Sequence, residues 1–476
     1  MSTKQRLRLY NSLSGSKEDF VPVDEDNVGL YTCGFTVYDH VHIGHVKKYV
    51  GDDVLRRTLV MLGYSVRHVQ NVTDVGHLES DADEGEDKLE KGAAKHNLSV
   101  FEVARRFEKE FYNAMDEVNV LTPSVIKRAA DDDAIDQQIK LIGVLLEKGY
   151  GYVKDAAIYF DVGKLPDYNP FSKQPLSKKL VGAREGVEVD PDKKNPADFV
   201  LWMFKKGRYA NHAMSWGSPW GEGFPGWHIE CSAISMHYLG DHIDIHTGGV
   251  DHLPVHHPNE IAQNFGVTSH RVVNYWVHHE HLKVDGEKMS KSKGNFFTLE
   301  DVKAKGFDPI ALRYLVLNTH YRKQMNFTWE SLAAAQSAVD RLRSKVVEYM
   351  SDSTAENNDS GGPNNTYISE FTTAMTDDLN TPKALAQTWM MLDSELSSSE
   401  KLKTLLLMDT VLGLALNEDN TKEGTVIPDD VLEFAKQRWE LKRDGKFIEA
   451  DGLRDEIAKR GYTVRDLADS YELDPS

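Results

Sequence analysis

Residues Cys33–His45 read CGFTVYDHVHIGH, and the segments on either side of this run decide the fold. Before it, Val28–Cys33 is short, apolar and bounded by turn formers, which predicts a buried strand. After it, Val46, Val50, Val54, Thr58 and Met61 recur every three or four residues. That period predicts a helix with Lys47, Lys48, Arg56 and Arg57 on its other faces. Gly63 stands where such a helix should stop, and Ser65–Val72 offers a second strand. The order is β–α–β, which points to the α/β class. His42 and His45 then sit at the mouth of the first helix. A helix N-terminus presents free N–H groups and partial positive charge, so it is a natural phosphate site, and histidines there can donate to phosphate oxygens.

Far downstream, Gly286–Asn295 reads GEKMSKSKGN. Lys288, Lys291, Ser290 and Ser292, with a glycine on each side, predict a mobile cationic loop. Such a loop can fold over a polyphosphate and neutralise the charge that builds up as a P–O bond breaks.

The chain has 476 residues, enough for about three domains. With 40% hydrophobic and 28% charged residues its composition is that of a soluble globular protein. No run of eighteen apolar residues exists, so no membrane span is expected. The start, MSTKQRLRLYNS, lacks the apolar core of a secretion signal, and a cytoplasmic location is the expectation. A net charge of −19 argues against gripping nucleic acid with the whole surface but leaves room for local basic patches. The only cysteines are Cys33 and Cys231. They could form a disulfide, fill apolar space or act as ligands, and a reducing compartment disfavours the first.

Glu79–Glu86, ESDADEGE, is strongly acidic but lacks the ligand spacing of an EF-hand, and reads as a solvated insertion. Residues 101–118 predict an amphipathic helix through Phe101, Ala104, Phe107, Phe111, Met115 and Val118. A further helix is expected over Asp131–Lys148, and Ile158, Phe160 and Val162 alternate as a strand. Residues 163–198 are rich in Lys, Pro, Gly and Asp with little periodicity, which suggests a domain inserted between two halves of one fold. Helical periodicity dominates after Phe307, through Ile310, Leu312, Leu315 and Val316. Ser351–Thr366 reads as a flexible surface loop, and a polar break at Asn417–Gly424 precedes a compact C-terminal piece.

His256 and Glu260 are four apart, so they share a helix face, while His257 lies about 100° round and is expected to point elsewhere. With Cys33 and Cys231 they make two thiolates, an imidazole and a carboxylate, a set that suits tetrahedral Zn²⁺. The four are scattered rather than paired as CxxC, so spacing alone does not decide the matter.

Six blocks together carry a resemblance: CGFTVYDHVHIGH, NVTD, PGWHIECS, DIHTGGVDHLPVHHPNEIAQ, VNYWVHHEHLKVDGEKMSKSKGN and DDLNTPKALA. HIGH and KMSKS resemble the two signatures of class I aminoacyl-tRNA synthetases. The full set, in this order, resembles the cysteinyl-tRNA synthetase family over nearly the entire chain. The resemblance implies a Rossmann-like nucleotide-binding catalytic domain split by an inserted domain, then an all-α helical-bundle domain and a small C-terminal module. Its divisions would be 1–125 and 223–325 for the two catalytic halves, 126–222 for the insert, 326–416 for the helical tRNA-binding domain and 417–476 for an anticodon-binding module. It implies an ATP-dependent ligase that makes cysteinyl-adenylate from L-cysteine and passes cysteine to tRNA(Cys), working as a monomer. One Zn²⁺ per chain would be held by Cys33, Cys231, His256 and Glu260 and would receive the substrate thiolate. A soft centre prefers sulfur to a serine hydroxyl, where shape alone discriminates poorly.

His42 and His45 would contact the ATP phosphates, with Mg²⁺ accompanying ATP, while Lys288 and Lys291 would close over the pyrophosphate side. Gly248, Gly249 and Asp251 would hold the adenosine, and Gly34, Thr73 and Trp227 would line the cysteine pocket. The sequence departs from the family at Phe35, usually proline, at Val46–Lys47, usually a small residue and arginine, and at Lys293, usually hydrophobic. The link from Asp74 to Asp87-Lys88 is longer than usual. A related ligase joins cysteine to an amino-sugar inositol in mycothiol synthesis, and it lacks a full anticodon-binding region. Here Pro428–Asp469 continues with Lys436, Arg438, Lys442, Arg443 and Lys446, a basic cluster that favours tRNA as the acceptor.

Overall fold

The computed structural model describes residues 6–475 apart from 77, 81–83, 166–167, 169, 172–190, 291–292, 356–361, 418–428, 444–445, 461 and 467–470. The chain divides into two compact units, Met1–Leu414 and Ala415–Ser476. The first opens with a hairpin of β1 (Arg8–Asn11) and β2 (Ser16–Asp19). Then comes the β–α–β unit read from the sequence, as β3 (Asn27–Thr32), α1 (Ile43–Met61) and β4 (Ser65–Val72). Gly63 follows the α1 cap with φ 86°, the left-handed turn that ends a helix at low steric cost.

The basic residues of α1 are not all outside. Lys47 is 3% exposed, and its Nζ donates to the Glu280 carbonyl at 2.5 Å. Burial, only partly countered by Glu280, pushes its ammonium down to about 8. Asp53 is buried too, between Arg57 (2.7 Å) and the fully buried Arg313 (2.5 Å). The helix is covered nearly all round, and its charged groups are kept inside by pairing.

Next are β5 (Leu78–Ser80), β6 (Glu84–Asp87), α2 (Lys88–His96), α3 (Val100–Glu117), β7 (Val125–Arg128) and α4 (Asp132–Glu147). The acidic stretch expected to be a solvated insertion contributes an antiparallel pair, Leu78 opposite Asp87 and Ser80 opposite Glu84. In α3 the buried stripe runs through Val100, Val103, Ala104, Phe107, Phe111, Ala114 and Met115. Phe101, expected on that face, is 57% exposed, because at about 100° per residue it falls beside the stripe that starts at Val100.

An antiparallel sheet in the order β11-β10-β9-β8 is built from β8 (Gly151–Val153), β9 (Ala157–Phe160), β10 (Phe199–Phe204) and β11 (Gly223–Pro225). All four residues of β9 are buried, and Val162 has already left the strand for a 3₁₀ turn. The chain returns through α5 (Trp227–Leu239), β12 (Ile243–Gly249), α6 (His256–Thr268) and β13 (Val273–His279). The main sheet is thereby completed, five parallel strands in the order β13-β12-β3-β4-β7. From β3 the chain first builds outward to β4 and β7, then re-enters on the other side at β12. The switch point lies between β3 and β12, where open α/β sheets bind ligands beyond the strand C-termini.

Past the sheet, β14 (Leu282–Val284) and β15 (Glu287–Lys288) form a hairpin turned by Asp285 and Gly286. Both have positive φ (50° and 80°), as a two-residue primed turn requires. The helical part follows: α7 (Leu299–Ala304), α8 (Pro309–Leu317), a short β16 (Met325–Phe327) beside β14, α9 (Trp329–Ala355), α10 (Asn365–Thr376), α11 (Thr381–Leu392) and α12 (Ser398–Leu412). Of the loop expected at Ser351–Thr366, the first five residues continue α9, α10 begins at Asn365, and 356–361 lie outside the described residues.

The second unit holds α13 (Asp429–Arg443), α14 (Phe447–Lys459) and a hairpin of β17 (Tyr462–Asp466) and β18 (Tyr471–Pro475), packed on Val431, Ala435, Ile457 and Val464. Arg438 is 2% exposed, so it does not belong to a surface basic cluster; Lys436, Arg443 and Lys446 are exposed. Most of the break expected at Asn417–Gly424 lies outside the described residues. Among the described residues no helix is long and apolar enough to cross a membrane.

Candidate active site

The first turn of α1 is built by the two histidines of HIGH. His42 is the N-cap, and its Nδ1 accepts from the backbone N–H of Gly44 (3.1 Å) and His45 (3.3 Å). Reciprocally, His45 Nδ1 accepts from the His42 N–H at 3.3 Å. The rings stack at 3.5 Å. Because both Nδ1 atoms accept, each neutral imidazole carries its proton on Nε2. Two N–H donors therefore stand at the positive end of a 19-residue helix.

The flanks of the KMSKS run lie against this turn. Ile43 N donates to the Phe297 carbonyl (3.0 Å), and Phe296 packs edge-on to His42. A Cβ added to Gly44 would stand 3.4 Å from the Met289 methyl carbon and 2.9 Å from the His42 ring. Lys288 is exposed on β15, while Lys291 lies outside the described residues. Phe35 fills the space beside HIGH, stacked on Phe111 at 5.3 Å and edge-on to His45 at 4.6 Å.

Across the switch point, the strand ends bring the four expected donors together. Cys33 follows β3, Cys231 lies in α5, and His256 and Glu260 lie in α6; all are buried. One donor atom from each can be chosen so that all lie within 4.8 Å of one another. The Sγ atoms are 4.0 Å apart and both cysteines are free. Glu260 Oε1 is 3.9 Å from Cys33 Sγ and 3.1 Å from His256 Nε2. Outer partners orient these groups. His228 Nδ1 meets His256 Nδ1 at 2.9 Å, and His246 Nε2 meets Glu260 Oε2 at 2.8 Å. That leaves His256 Nε2 and Glu260 Oε1 toward the thiols, the arrangement of a ligand set with its supporting shell.

His257 does not point elsewhere. Its Nε2 is 3.4 Å from Cys33 Sγ, and Cys33, His246, His257 and Glu260 make a second buried set. Both sides of the first turn of α6 face the thiols, His256 stacked on Trp227 at 4.1 Å and His257 against Trp276 at 4.8 Å. Burial alone would push the Cys33 thiol up; the hydrogen bond from Cys231 and the imidazoles of His246 and His257 outweigh it and hold Cys33 well below the usual range. Burial and the adjacent Cys33 push Cys231 well up. Such a pair gains most from a cation, which favours the thiolate at both positions.

The wall of the pocket is set by close approaches. Gly34 N donates to Asn71 Oδ1 at 2.7 Å, and a Cβ there would fall 1.7 Å from the Asn71 carbonyl oxygen. Lys48 Nζ (2.7 Å) and Tyr49 Oη (3.1 Å) both donate to the Cys33 carbonyl. Thr73 Oγ1 donates to the buried Glu230 at 2.5 Å. Burial pushes the Glu230 carboxyl well up, against the Thr73 hydrogen bond. At the end of β12, a Cβ on Gly248 would lie 2.5 Å from the His257 ring, and one on Gly249 would lie 2.2 Å from Asp251 Oδ1. Sequence reasoning had not singled out His228, Glu230 or His246. Their signal was available as polar residues inside otherwise apolar runs, at PGWHIECS and DIHTGG.

Residues 19–337 match the family described as tRNA synthetases class I (C) catalytic domain. The cysteine–tRNA ligase of Treponema denticola is 40% identical over 97% of this chain and 98% of its own length. Cysteine–tRNA ligase 1 of Burkholderia lata is 40% identical over 98% and 96%. Among solved structures, methionyl-tRNA synthetase of Mycobacterium tuberculosis with methionyl-adenylate superposes with a TM-score of 0.53 at 16% identity, covering 82% of this chain and 90% of that one. The LeuRS–tRNA–LeuAMS complex of Agrobacterium radiobacter gives 0.60 at 13%, covering 84% and 86%. At such identities the structural likeness concerns the fold alone. On the strength of the sequence matches, the chain belongs to the cysteine–tRNA ligase family of class I tRNA synthetases.

Proposed function

We propose that this protein activates L-cysteine with ATP as cysteinyl-adenylate and transfers the cysteinyl group to tRNA(Cys). The observation that carries the reading is the buried set of Cys33, Cys231, His256 and Glu260 at the β3/β12 switch point, on the same strand ends as the HIGH turn. In the activation step the carboxylate of cysteine attacks the α-phosphorus and pyrophosphate leaves, so the protein positions and neutralises rather than supplying a nucleophile. His42 and His45 donate to the phosphates from the N-terminus of α1. Lys288 and Lys291 neutralise the leaving pyrophosphate, and Mg²⁺ accompanies ATP. Gly248 and Gly249 keep the end of β12 open to the adenosine, and Asp251 accepts from a ribose hydroxyl. Gly34, Thr73 and Trp227 line the pocket for the amino acid.

The donor set of two sulfurs, one imidazole and one carboxylate, with outer partners in place, fits Zn²⁺, one per chain. When bound, the ion supplies a soft Lewis acid for the substrate sulfur, which serine cannot match. Residues 1–125 and 223–325 act as the catalytic halves, 126–222 as the connective insert, and 326–416 and 417–476 as the tRNA-binding parts. The protein works as a monomer in the cytoplasm. An amino-sugar acceptor is not favoured, because the tRNA-ligase relatives match 97–98% of this chain, far beyond the ATP motifs and cysteine pocket that the two ligases share.

ATP–pyrophosphate exchange run with cysteine, with serine and with neither tests the reading, followed by charging of tRNA(Cys). Exchange should depend on cysteine and fall to background with serine. Equal exchange with serine would overturn the sulfur-selective pocket, and absent exchange with cysteine would overturn the activation step.

A further inference from the structure

At the opposite end of β12 and β13 from the candidate active site, two helices finish side by side in sequence-encoded stops. The cap of α5 is Gly240 (φ 83°) and that of α6 is Ser269 (φ 68°), both with positive φ. The chain then enters two neighbouring parallel strands, with Ile243 opposite Val273. This geometry gathers Asp241 and His242 from one connection and His270 from the other. Asp241 Oδ1 is 3.0 Å from His242 Nδ1, and its Oδ2 is 3.3 Å from His270 Nε2. The two imidazoles stack at 4.6 Å with 21° between planes. Donor atoms of all three residues lie within 4.8 Å of one another.

Three features go beyond a surface hydrogen-bond cluster. First, His270 Nδ1 lies 3.1 Å from the Arg271 carbonyl, which can only accept, so Nδ1 carries a proton. That contact orients the ring so that Nε2, the atom facing Asp241 Oδ2 at 3.3 Å, is the one offered to a cation. Second, the helix C-termini of α5 and α6 both end here, and their partial negative charge favours a cation. Third, among the described residues Asp241 makes ion pairs only with these imidazoles, the second of them to His270. The comparable cluster of Asp39, His40 and His96 is different, because the Lys95 ammonium already sits 2.8 Å from Asp39.

We propose that Asp241, His242 and His270 form a second, solvent-facing site for a divalent transition metal of the zinc and nickel class, which clasps the α5–β12 connection to the α6–β13 connection. Two imidazoles and one carboxylate, with remaining positions open to water, suit such ions. The side chains of Asp241 and His242 are largely exposed, so the ion enters directly from solvent. The clasp is independent of the catalytic donors and joins the two crossovers that carry Cys231 and His256.

The test uses the full-length, tag-free chain with its metal content as purified, titrated with Ni²⁺ by equilibrium dialysis and metal analysis. One further ion per chain should bind, and the thermal midpoint should rise with it. His242→Gln and His270→Gln should each weaken that ion at least about tenfold, and the double variant should lose both the ion and the thermal shift. The metal content as purified and cysteine-dependent pyrophosphate exchange should not change. Retention of the as-purified metal in the double variant separates this site from the catalytic set. No further ion in the wild-type chain, or the same further ion in the double variant, would overturn the proposal. A His270 held simply as an imidazolium gives the first of these results.

Discussion

His256 and His257 show what single residues could and could not reveal. The i, i+4 spacing of His256 and Glu260 was enough to put both on one face, and their donor atoms stand 3.1 Å apart. That His257 also reaches Cys33 could not be read, because angular position on a helix says nothing of a group lying over its first turn. His256→Ala should strip most of the metal from the set proposed to hold Zn²⁺. His257→Ala should keep the ion at full stoichiometry, with affinity reduced about tenfold as for an orienting partner. Metal analysis of both variants decides, and the reverse pattern would assign the other set. Asp74 poses a different residue-level question, because the sequence shows a carboxylate but not its burial. Its Oδ1 accepts from Ala130 N at 2.8 Å. Burial, against that hydrogen bond and with Asp131 and Glu108 adding to it, pushes the carboxyl up to about 7. A folded value above the unfolded one means that the native state holds the extra proton. The associated stability is full below about pH 4 and is lost as pH rises through 7. Asp74→Asn should therefore be more stable than the parent at pH 8, by on the order of 2–4 kcal/mol, and no more stable at pH 4. Urea unfolding at the two pH values measures this.

At the scale of elements, periodic segments were legible and backbone approaches were not. The β3–α1–β4 unit follows from a short apolar run, a 3.6-residue period and a stop glycine, all printed in the sequence. The β5–β6 pair did not, because ladder hydrogen bonds leave no mark in a stretch whose charges advertise only solvent. The same holds for α9, whose polar last turn looked like loop although Ser and Asp are tolerated on an exposed helix end. The buried Lys47 shows the converse: a basic residue expected off the apolar face is enclosed nonetheless, and Glu280 offers it a carbonyl. The most consequential approach is that of the strand ends at Gly34, where a Cβ would fall 1.7 Å from the Asn71 carbonyl oxygen. Backbone cannot yield as a flexible side chain would, so Gly34→Ala must part the ends of β3 and β4. Cys33 and Thr73 would then shift by a good fraction of an ångström. A misplacement approaching about an ångström can cost about a hundredfold in rate. Cysteine-dependent exchange by Gly34→Ala should fall by at least that factor while the fold, followed by circular dichroism, persists. Retention of normal exchange would show that the pocket does not depend on this contact.

At the scale of the whole molecule, adenylate chemistry and tRNA recognition make separable demands. Every residue proposed to touch ATP or cysteine lies in the first compact unit, Met1–Leu414, and the second unit has its own small core around Val431, Ala435, Ile457 and Val464. Removing residues 417–476 should therefore leave cysteine-dependent pyrophosphate exchange close to the parent rate. If the module grips the anticodon end, the same truncation should weaken tRNA charging strongly, and the loss should appear as a raised KM for tRNA. The basic cluster read from the sequence needs one amendment here. Arg438 is 2% exposed and cannot meet a phosphate, whereas Lys436, Arg443 and Lys446 stand exposed and Lys442 is half-buried. Burial was invisible to a count of basic residues, because that count carries no helix phase. Charge reversal at Lys442 and Arg443 should act in the direction of the truncation, while Arg438→Gln should disturb the stability of the module rather than the salt dependence of binding. Each phosphate contact removed should flatten the slope of log affinity against log salt by roughly one. Full-length, truncated and charge-reversed proteins assayed side by side for exchange and for charging distinguish the possibilities. Charging that survives truncation unchanged would remove tRNA binding from the second unit, and a parallel collapse of exchange would show that the two units are not energetically separate.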